Sequence, residues 1–223
     1  MQNTLSLTAD GSHTLTSAQF GVTYHSVHGS IQEAQTVFID AAFAEIAARA
    51  QPEIRILEIG FGTGLNALMS FGESLKTDKT LHYTAVEAFP ISSETAAELN
   101  YATCLDFAQA AGFLHLIHQN NWNTNIEIAP NIFFRKCLMR FEDIAFDGEF
   151  DAIYFDAFAP SAQPELWTIA MFETMHRALK PNGILTTYCA KGEVKRNLKA
   201  AGFRVASLPG PVGKREMTRA VRA

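Results

Sequence analysis

The stretch that most limits what this chain can fold into is Ile54-Arg-Ile-Leu-Glu-Ile-Gly-Phe-Gly-Thr-Gly-Leu-Asn-Ala67. It reads as a buried strand, a glycine turn and the start of a helix. Ile54, Ile56, Leu57 and Ile59 are apolar and mostly branched, which suits a central parallel strand. Gly60, Gly62 and Gly64 carry no Cβ, so the turn can take positive φ and a ligand can approach the backbone closely. A helix beginning near Leu65 presents unpaired N–H groups to that ligand. An acid, Glu58, stands just before the first glycine.

The spacing separates two ligand classes. A dinucleotide fingerprint is G-x-G-x-x-G. Here the third glycine is at 64, and the position where the dinucleotide motif wants it is Leu65. The E-x-G-x-G-x-G form resembles motif I of class I S-adenosylmethionine methyltransferases. That resemblance implies that Glu58, the loop backbone and Asn66 hold the cofactor.

Strands and helices alternate along the chain. Thr4–Thr8 and His13–Thr16 flank Asp10-Gly11 and read as a β-hairpin. An aromatic and polar loop follows, from Phe20 to Ser30. Ser30 with Glu33 reads as a capping box for a helix to about Arg49, with Ala34, Val37, Phe38, Ala41, Ala42 and Ile46 as its buried stripe. After the glycine loop and its helix, Leu81–Glu87 reads as a second parallel strand. Residues 90–125 are helical in tendency, and Ile126–Ala129 and Ile132–Phe141 read as two strands around Pro130-Asn131. Phe150–Asp156 is a third buried strand, opening into Ala-Phe158-Ala-Pro160. Pro164 starts a helix to about Leu179, Pro181–Ala190 is a turn plus strand, Lys191–Ala201 is a basic helix, and a terminal hairpin closes the chain. The expectation is an α/β fold: a Rossmann-like seven-stranded sheet with a terminal antiparallel hairpin. Residues 1–30 form a small N-terminal β-hairpin extension and residues 31–223 the main domain.

Ligands of open α/β sheets sit beyond the carboxyl ends of the strands. Glu58, Glu87, Asp143 and Asp156 each fall at such an end. Glu87 lies 23 residues after Gly64, near the spacing of roughly 20 at which an acid meets ribose hydroxyls. The acids have separate positions in a cofactor site, so no metal is expected. His25/His28 and His115/His118 are pairs without further ligands and read as ordinary polar residues. The three cysteines are scattered, with no C-x-x-C, and read as reduced thiols. The first residues show no secretory signal, and no apolar run could span a bilayer. A cytoplasmic protein without a membrane partner is expected.

Net charge is −5, but it is unevenly spread. From Lys180 onward there are ten Lys and Arg against two Glu, a net of +8. The preceding 179 residues hold eight basic against 21 acidic residues, a net of −13. A basic final third fits a phosphate-rich partner; a solvated helix face with a basic β-edge is the plain alternative.

The motifs together resemble the methyltransferase domain of the bacterial family that forms 5-methylaminomethyl-2-thiouridine in tRNA, in particular its stand-alone form. The matching pieces are Tyr24-His-Ser, Glu33, Val37-Phe38, Glu58–Asn66, Glu87-Ala-Phe-Pro90, Asp156-Ala-Phe-Ala-Pro160, Pro164, Trp167 and Gly213-Lys-Arg-Glu-Met217. The resemblance implies methyl transfer from S-adenosylmethionine to a primary amine on the tRNA wobble base. It assigns Asp156 as the catalytic acid–base group and Glu58, Gly60, Gly62, Gly64, Asn66, Glu87 and Asp143 as cofactor residues, with Asp143 facing the adenine. Tyr24, Phe158 and Pro160 would wall the base, and Lys195, Lys199, Lys214 and Arg215 would carry the tRNA backbone. Bifunctional relatives add a flavin oxidoreductase domain; this chain has no room for one, so no FAD is expected. Two other readings stay open: a methyl- or aminopropyltransferase acting on a small amine, and a non-catalytic nucleic-acid-binding module.

Overall fold

The computed structural model describes residues 3–223. The N-terminal hairpin is β1 (Thr4–Leu7) and β2 (His13–Thr16), paired Thr4 to Thr16 and Leu7 to His13. Its turn spans Thr8–Ser12 and is organised by Asp10, whose Oδ1 accepts from Thr8 Oγ1, Ser12 N and Ser12 Oγ. The chain then folds back along β2. Tyr24 N donates to Leu15 O, and His25 N donates to Thr14 Oγ1. That return places Tyr24 and His25 against the main body.

The long helix from Ser30 is continuous but not uniformly α. It comprises α1 (Ser30–Ala34), a π-helical stretch Gln35–Phe43 and α2 (Ala44–Ala47). The i→i+5 bonding of the middle stretch accompanies burial of Ile39 and Phe43 beyond the expected stripe. The capping box is not formed. Gly29 is the N-cap, Ser30 Oγ donates to His13 O, and Glu33 Oε2 accepts from Ser26 N. Glu33 therefore ties the helix to the aromatic loop rather than closing its own first turn.

Next come β3 (Glu53–Ile59), α3 (Leu65–Ser74) and β4 (Thr80–Glu87). Three short helices follow, α4 (Ser93–Ala97), α5 (Tyr101–Cys104) and α6 (Ala110–Gln119). Then β5 (Asn125–Ala129) and β6 (Ile132–Leu138) form an antiparallel hairpin around Asn131, whose φ is 65°. β7 (Phe150–Phe155) is buried at every residue. Pro164–Trp167 is a separate 3₁₀ turn, and α7 (Ile169–Ala178) starts only after Thr168 caps it, its side chain accepting from Met171 N. β8 (Leu179–Thr187), α8 (Gly192–Ala200), β9 (Phe203–Pro209) and β10 (Glu216–Arg222) complete the chain.

The main sheet has eight strands in the order β5-β6-β4-β3-β7-β8-β10-β9, not seven. Strands β6, β4, β3, β7 and β8 are parallel, and β10 is antiparallel to both β8 and β9. The extra strand is β5, which covers the edge of β6; pairing an exposed edge removes open backbone groups. Order reverses between β3 and β7, which puts the switch point at the carboxyl end of β3, directly under the glycine loop. The helix leaving that loop, α3, is buried along almost its whole length, as an apolar helix wedged between sheet and helices must be. Among the described residues, no helix is long and apolar enough to cross a membrane, and all three cysteines are free thiols.

One buried acid pins the opposite, amino end of the switch point. Asp151 Oδ2 accepts from Arg55 N at 2.8 Å, and Oδ1 accepts from Lys180 Nζ at 2.9 Å. It thereby joins β3, β7 and β8. Asp151→Ala should lower unfolding free energy by about 2–3 kcal/mol, since a charge-assisted bond is lost and a backbone N–H is left unpaired. Denaturant unfolding checks this, with a loss below about 0.5 kcal/mol the contrary result.

Candidate active site

The carboxyl end of β3 turns sharply at Gly60, Gly62 and Gly64, whose φ values are 91°, 49° and 76°. The three glycines do different things. A Cβ on Gly60 would stand 2.8 Å from Asp156 O, and one on Gly62 would stand 3.0 Å from the Tyr24 ring. Both line a cavity beyond the carboxyl ends of the strands. A Cβ on Gly64 would instead meet Ile117, Phe61 and His118, so that glycine lets helices pack and does not face the cavity.

Thr63, inside the loop, is held from three sides. His25 Nε2 lies 2.8 Å from its hydroxyl, Tyr101 OH donates to the same oxygen, and His118 Nε2 lies 3.0 Å from its carbonyl oxygen. Burial pushes both histidines down to about 4, so both are neutral braces. Neither belongs to a metal cluster: among the described residues, no group of three or more His, Cys, Asp or Glu could hold a metal ion.

The acids at the strand ends also separate. Asn66 Nδ2, in the first turn of α3, donates to Glu58 Oε1 at 2.9 Å and to Asp156 Oδ2 at 2.8 Å. Glu58 is fully buried beneath it and does not line the cavity. Burial holds the Glu58 carboxyl well above the usual range, with the nearby Asp156 acting in the same sense. Asp156 does open onto the cavity. Burial, and next the Glu33 carboxylate, push it up to about 7, against the Asn66 hydrogen bond and the Lys214 ammonium. Glu87 lines the cavity with both oxygens engaged: Oε2 accepts from Gly62 N at 3.0 Å and Oε1 from Phe89 N at 2.7 Å.

The rest of the wall is aromatic. Phe158 packs on Tyr24 at 4.9 Å and on Phe20 at 5.0 Å between ring centroids, and Phe20 meets Phe89 at 5.8 Å. Phe141 closes the far side. Asp143, expected at the adenine, is exposed and does not line the cavity; the short 3₁₀ turn Phe141–Asp143 points Phe141 inward instead. Pro160 is likewise outside the lining. The Asp156–Pro160 loop is fixed by bonds that no local pattern announces. Phe158 N donates to Gln163 Oε1, Trp167 Nε1 donates to Phe158 O, and Tyr188 OH donates to Ala157 O.

The expected basic face is only partly free. Lys195 Nζ donates to Glu216 and Ser207, and Lys214 Nζ pairs with Glu33. Lys199 and Arg215 are exposed. Thr187 of β8 pairs with Thr218 of β10, which puts the 210–215 loop and Arg215 at the carboxyl rim. Lys199 lies one residue from the end of α8, eight residues and about 12 Å of helix beyond Lys191, towards the opposite end of the sheet.

Comparison with known proteins agrees with this geometry. Residues 102–223 match a family model described as S-adenosyl-L-methionine-dependent methyltransferase. The chain belongs to that family. It is 33% identical to the tRNA 5-methylaminomethyl-2-thiouridine biosynthesis bifunctional protein MnmC of Aromatoleum aromaticum, over 96% of this chain and 34% of that protein. The MnmC of Azoarcus sp. (strain BH72) is also 33% identical, with 96% and 35% covered. The chain thus spans about a third of the length of the curated relatives it matches. Among solved structures, MnmC2 from Aquifex aeolicus superposes with a TM-score of 0.79 at 24% identity, covering 99% of this chain and 70% of that one. A spermidine synthase from Thermotoga maritima gives 0.60 at 16% identity, covering 100% and 72%. Both show the same fold.

The residues present fit the methyltransferase cofactor. Gly60 and Gly62 leave a cradle that a Cβ would fill, and Asn66 Oδ1 is buried with no protein partner. Acids and aromatic faces surround the space, as a cationic sulfonium requires. Gly60, Gly62, Asn66 and Glu87 line the cavity and could hold the cofactor, while Glu58 accepts from Asn66 beneath it. Gly62→Val should abolish S-adenosylmethionine binding, because a branched side chain resists positive φ and collides with Tyr24. Calorimetry on the folded variant checks this; unchanged affinity would mean the loop is not the cradle.

Proposed function

We propose that this chain transfers the methyl group of S-adenosylmethionine to the primary amine of 5-aminomethyl-2-thiouridine at the wobble position of tRNA. The product is 5-methylaminomethyl-2-thiouridine. The names of the MnmC relatives support the substrate. The observation that carries the reading is the Asp156 carboxyl, open to an aromatic-walled cavity and pushed up to about 7. A group poised near neutrality can take the proton that the substrate ammonium must lose before its nitrogen can attack.

Bound S-adenosylmethionine supplies a methyl carbon activated by its positively charged sulfur. The protein's contribution is positioning, which alone is worth several kcal/mol in well-oriented reactions, about 7–11 at the upper limit. Asn66 fixes the Asp156 carboxyl so that its other oxygen faces the amine. Asp156 accepts a hydrogen bond from the substrate ammonium and takes one proton from it, which frees the nitrogen lone pair to receive the methyl group. Phe158, Tyr24 and Phe20 exclude water and offer faces on which a splayed base stacks. Glu87 holds the loop through Gly62 until ribose hydroxyls compete for its oxygens.

The deciding experiment incubates the protein with labelled cofactor and tRNA from cells lacking it, followed by nucleoside mass analysis. One added methyl on 5-aminomethyl-2-thiouridine supports the reading; label only on free amines, as in an aminopropyltransferase, defeats it. Asp156→Ala should retain cofactor binding and turn over about 10²–10⁴-fold more slowly. Near wild-type turnover would make Asp156 a structural acid.

Lys191, Arg196, Lys199 and Arg215 are exposed and in none of the salt bridges among the described residues, which makes them candidates for the tRNA backbone, with Lys199 the furthest from the rim. Changing these four to Glu should weaken tRNA binding and reduce the slope of its salt dependence, with cofactor affinity unchanged. A wild-type slope would leave the basic third as plain surface.

A further inference from the structure

The Lys214–Glu33 pair is built unlike a surface salt bridge. Lys214 Nζ meets Glu33 Oε1 at 2.5 Å, and the Glu33 side chain is only 8% exposed. The same ammonium sits 4.0 Å from the centroid of the Tyr188 ring. Tyr188 OH donates to Ala157 O, the carbonyl beside Asp156. The other Glu33 oxygen accepts from Ser26 N, next to the Tyr24-His25 segment that lines the cavity. The loop bearing Lys214 is docked onto α1 once more and onto the segment before it: Val212 N donates to Gln32 Oε1, and Gly213 leaves no room for a Cβ against the His28 ring. One charge pair with a buried carboxylate thus joins four segments around the site, and its half-buried lysine is engaged within the protein.

We propose that Lys214 is a positioning residue of the transfer site: paired with Glu33 and stacked on Tyr188, it holds the Asp156–Ala157 turn and balances charge beside it, and it does not bind the tRNA backbone. The proposal rests on Asp156 being the proton acceptor. The groups facing Asp156 leave this pair as the adjustable charge. Tyr83, Tyr101 and Tyr188 stay neutral because burial raises them, and burial raises Tyr24 on the cavity wall likewise. His25 is neutral, burial holds the Glu58 carboxyl well above the usual range, and the Glu87 carboxyl accepts from backbone N–H groups. Glu33 and Lys214 act on Asp156 in opposite senses. Removing the lysine therefore leaves a bare carboxylate beside Asp156 and makes it harder to ionise; neutralising the glutamate makes it easier.

The test follows the carboxyl carbon of Asp156 by NMR in the ligand-free protein, assigned by its loss in Asp156→Asn. The midpoint should move up in Lys214→Met, move down in Glu33→Gln, and return towards wild type in Lys214→Arg. Midpoints that stay put, or that move the same way in both neutralising variants, overturn the proposal. If Lys214→Met does not fold, the direction in Glu33→Gln decides alone. A second readout separates this from the assignment of Asp156. If the acidic limb of the kcat–pH profile survives in Asp156→Asn, the proton-acceptor reading fails whatever the NMR shows. If the limb vanishes there but the midpoints ignore the pair, only the role of Lys214 fails. Lys214→Met should also lower kcat several-fold with the KM for tRNA unchanged, whereas a phosphate ligand would raise KM.

Discussion

Two carboxyls at the ends of adjacent parallel strands share one amide. Glu58 closes β3, Asp156 follows β7, and both accept from Asn66 Nδ2. Parallel neighbours place such side chains close together, and two like charges there would repel. The shared amide donor, and the burial that disfavours charge on Glu58, ease that conflict. Asp156 is then the acid left facing the cavity, with one oxygen held and the other available. The glycine loop, α3 and the Asp156–Pro160 loop must all be in register for this bridge to form, which is why so many buried bonds converge on them.

The site is completed by segments that are distant in sequence. Phe20, Tyr24 and His25 come from the return of the N-terminal hairpin, and Lys214 from the last hairpin loop. Glu33 sits between them and bonds both ways. The N-terminal segment therefore does more than decorate the fold: its rings form one wall of the cavity, and His25 braces Thr63. The proposed transfer to an amine would need such rigidity, because misplacement of about 1 Å can cost two orders of magnitude in rate.

The division of labour among the glycines and acids follows the same geometry. Gly60 and Gly62 approach the cavity, while Gly64 is needed for helix packing. Glu87 supports the loop from below and lines the cavity as well. Thr63 is gripped by His25, Tyr101 and His118, so the loop is held in its positive-φ conformation by side chains from three other segments.

The sequence by itself determined the strand–loop–helix at Ile54–Ala67, the parallel core, the terminal hairpin and the acids at the strand ends. Each is written in short-range pattern: branched apolar runs, glycine spacing, and acids placed just after them. Tertiary structure alone decided which of those residues line the cavity. Glu58 went under Asn66, Asp143 turned to solvent with Phe141 in its place, and Lys195 and Lys214 found Glu216 and Glu33. It also decided that Ile126–Ala129 would pair as an eighth strand and that two histidines read as polar surface would become neutral braces. The physical reason is range. Backbone conformation and burial pattern are set within a few residues, whereas the partner of a buried charge is whatever the fold brings within about 3 Å, here from as far as 181 residues away.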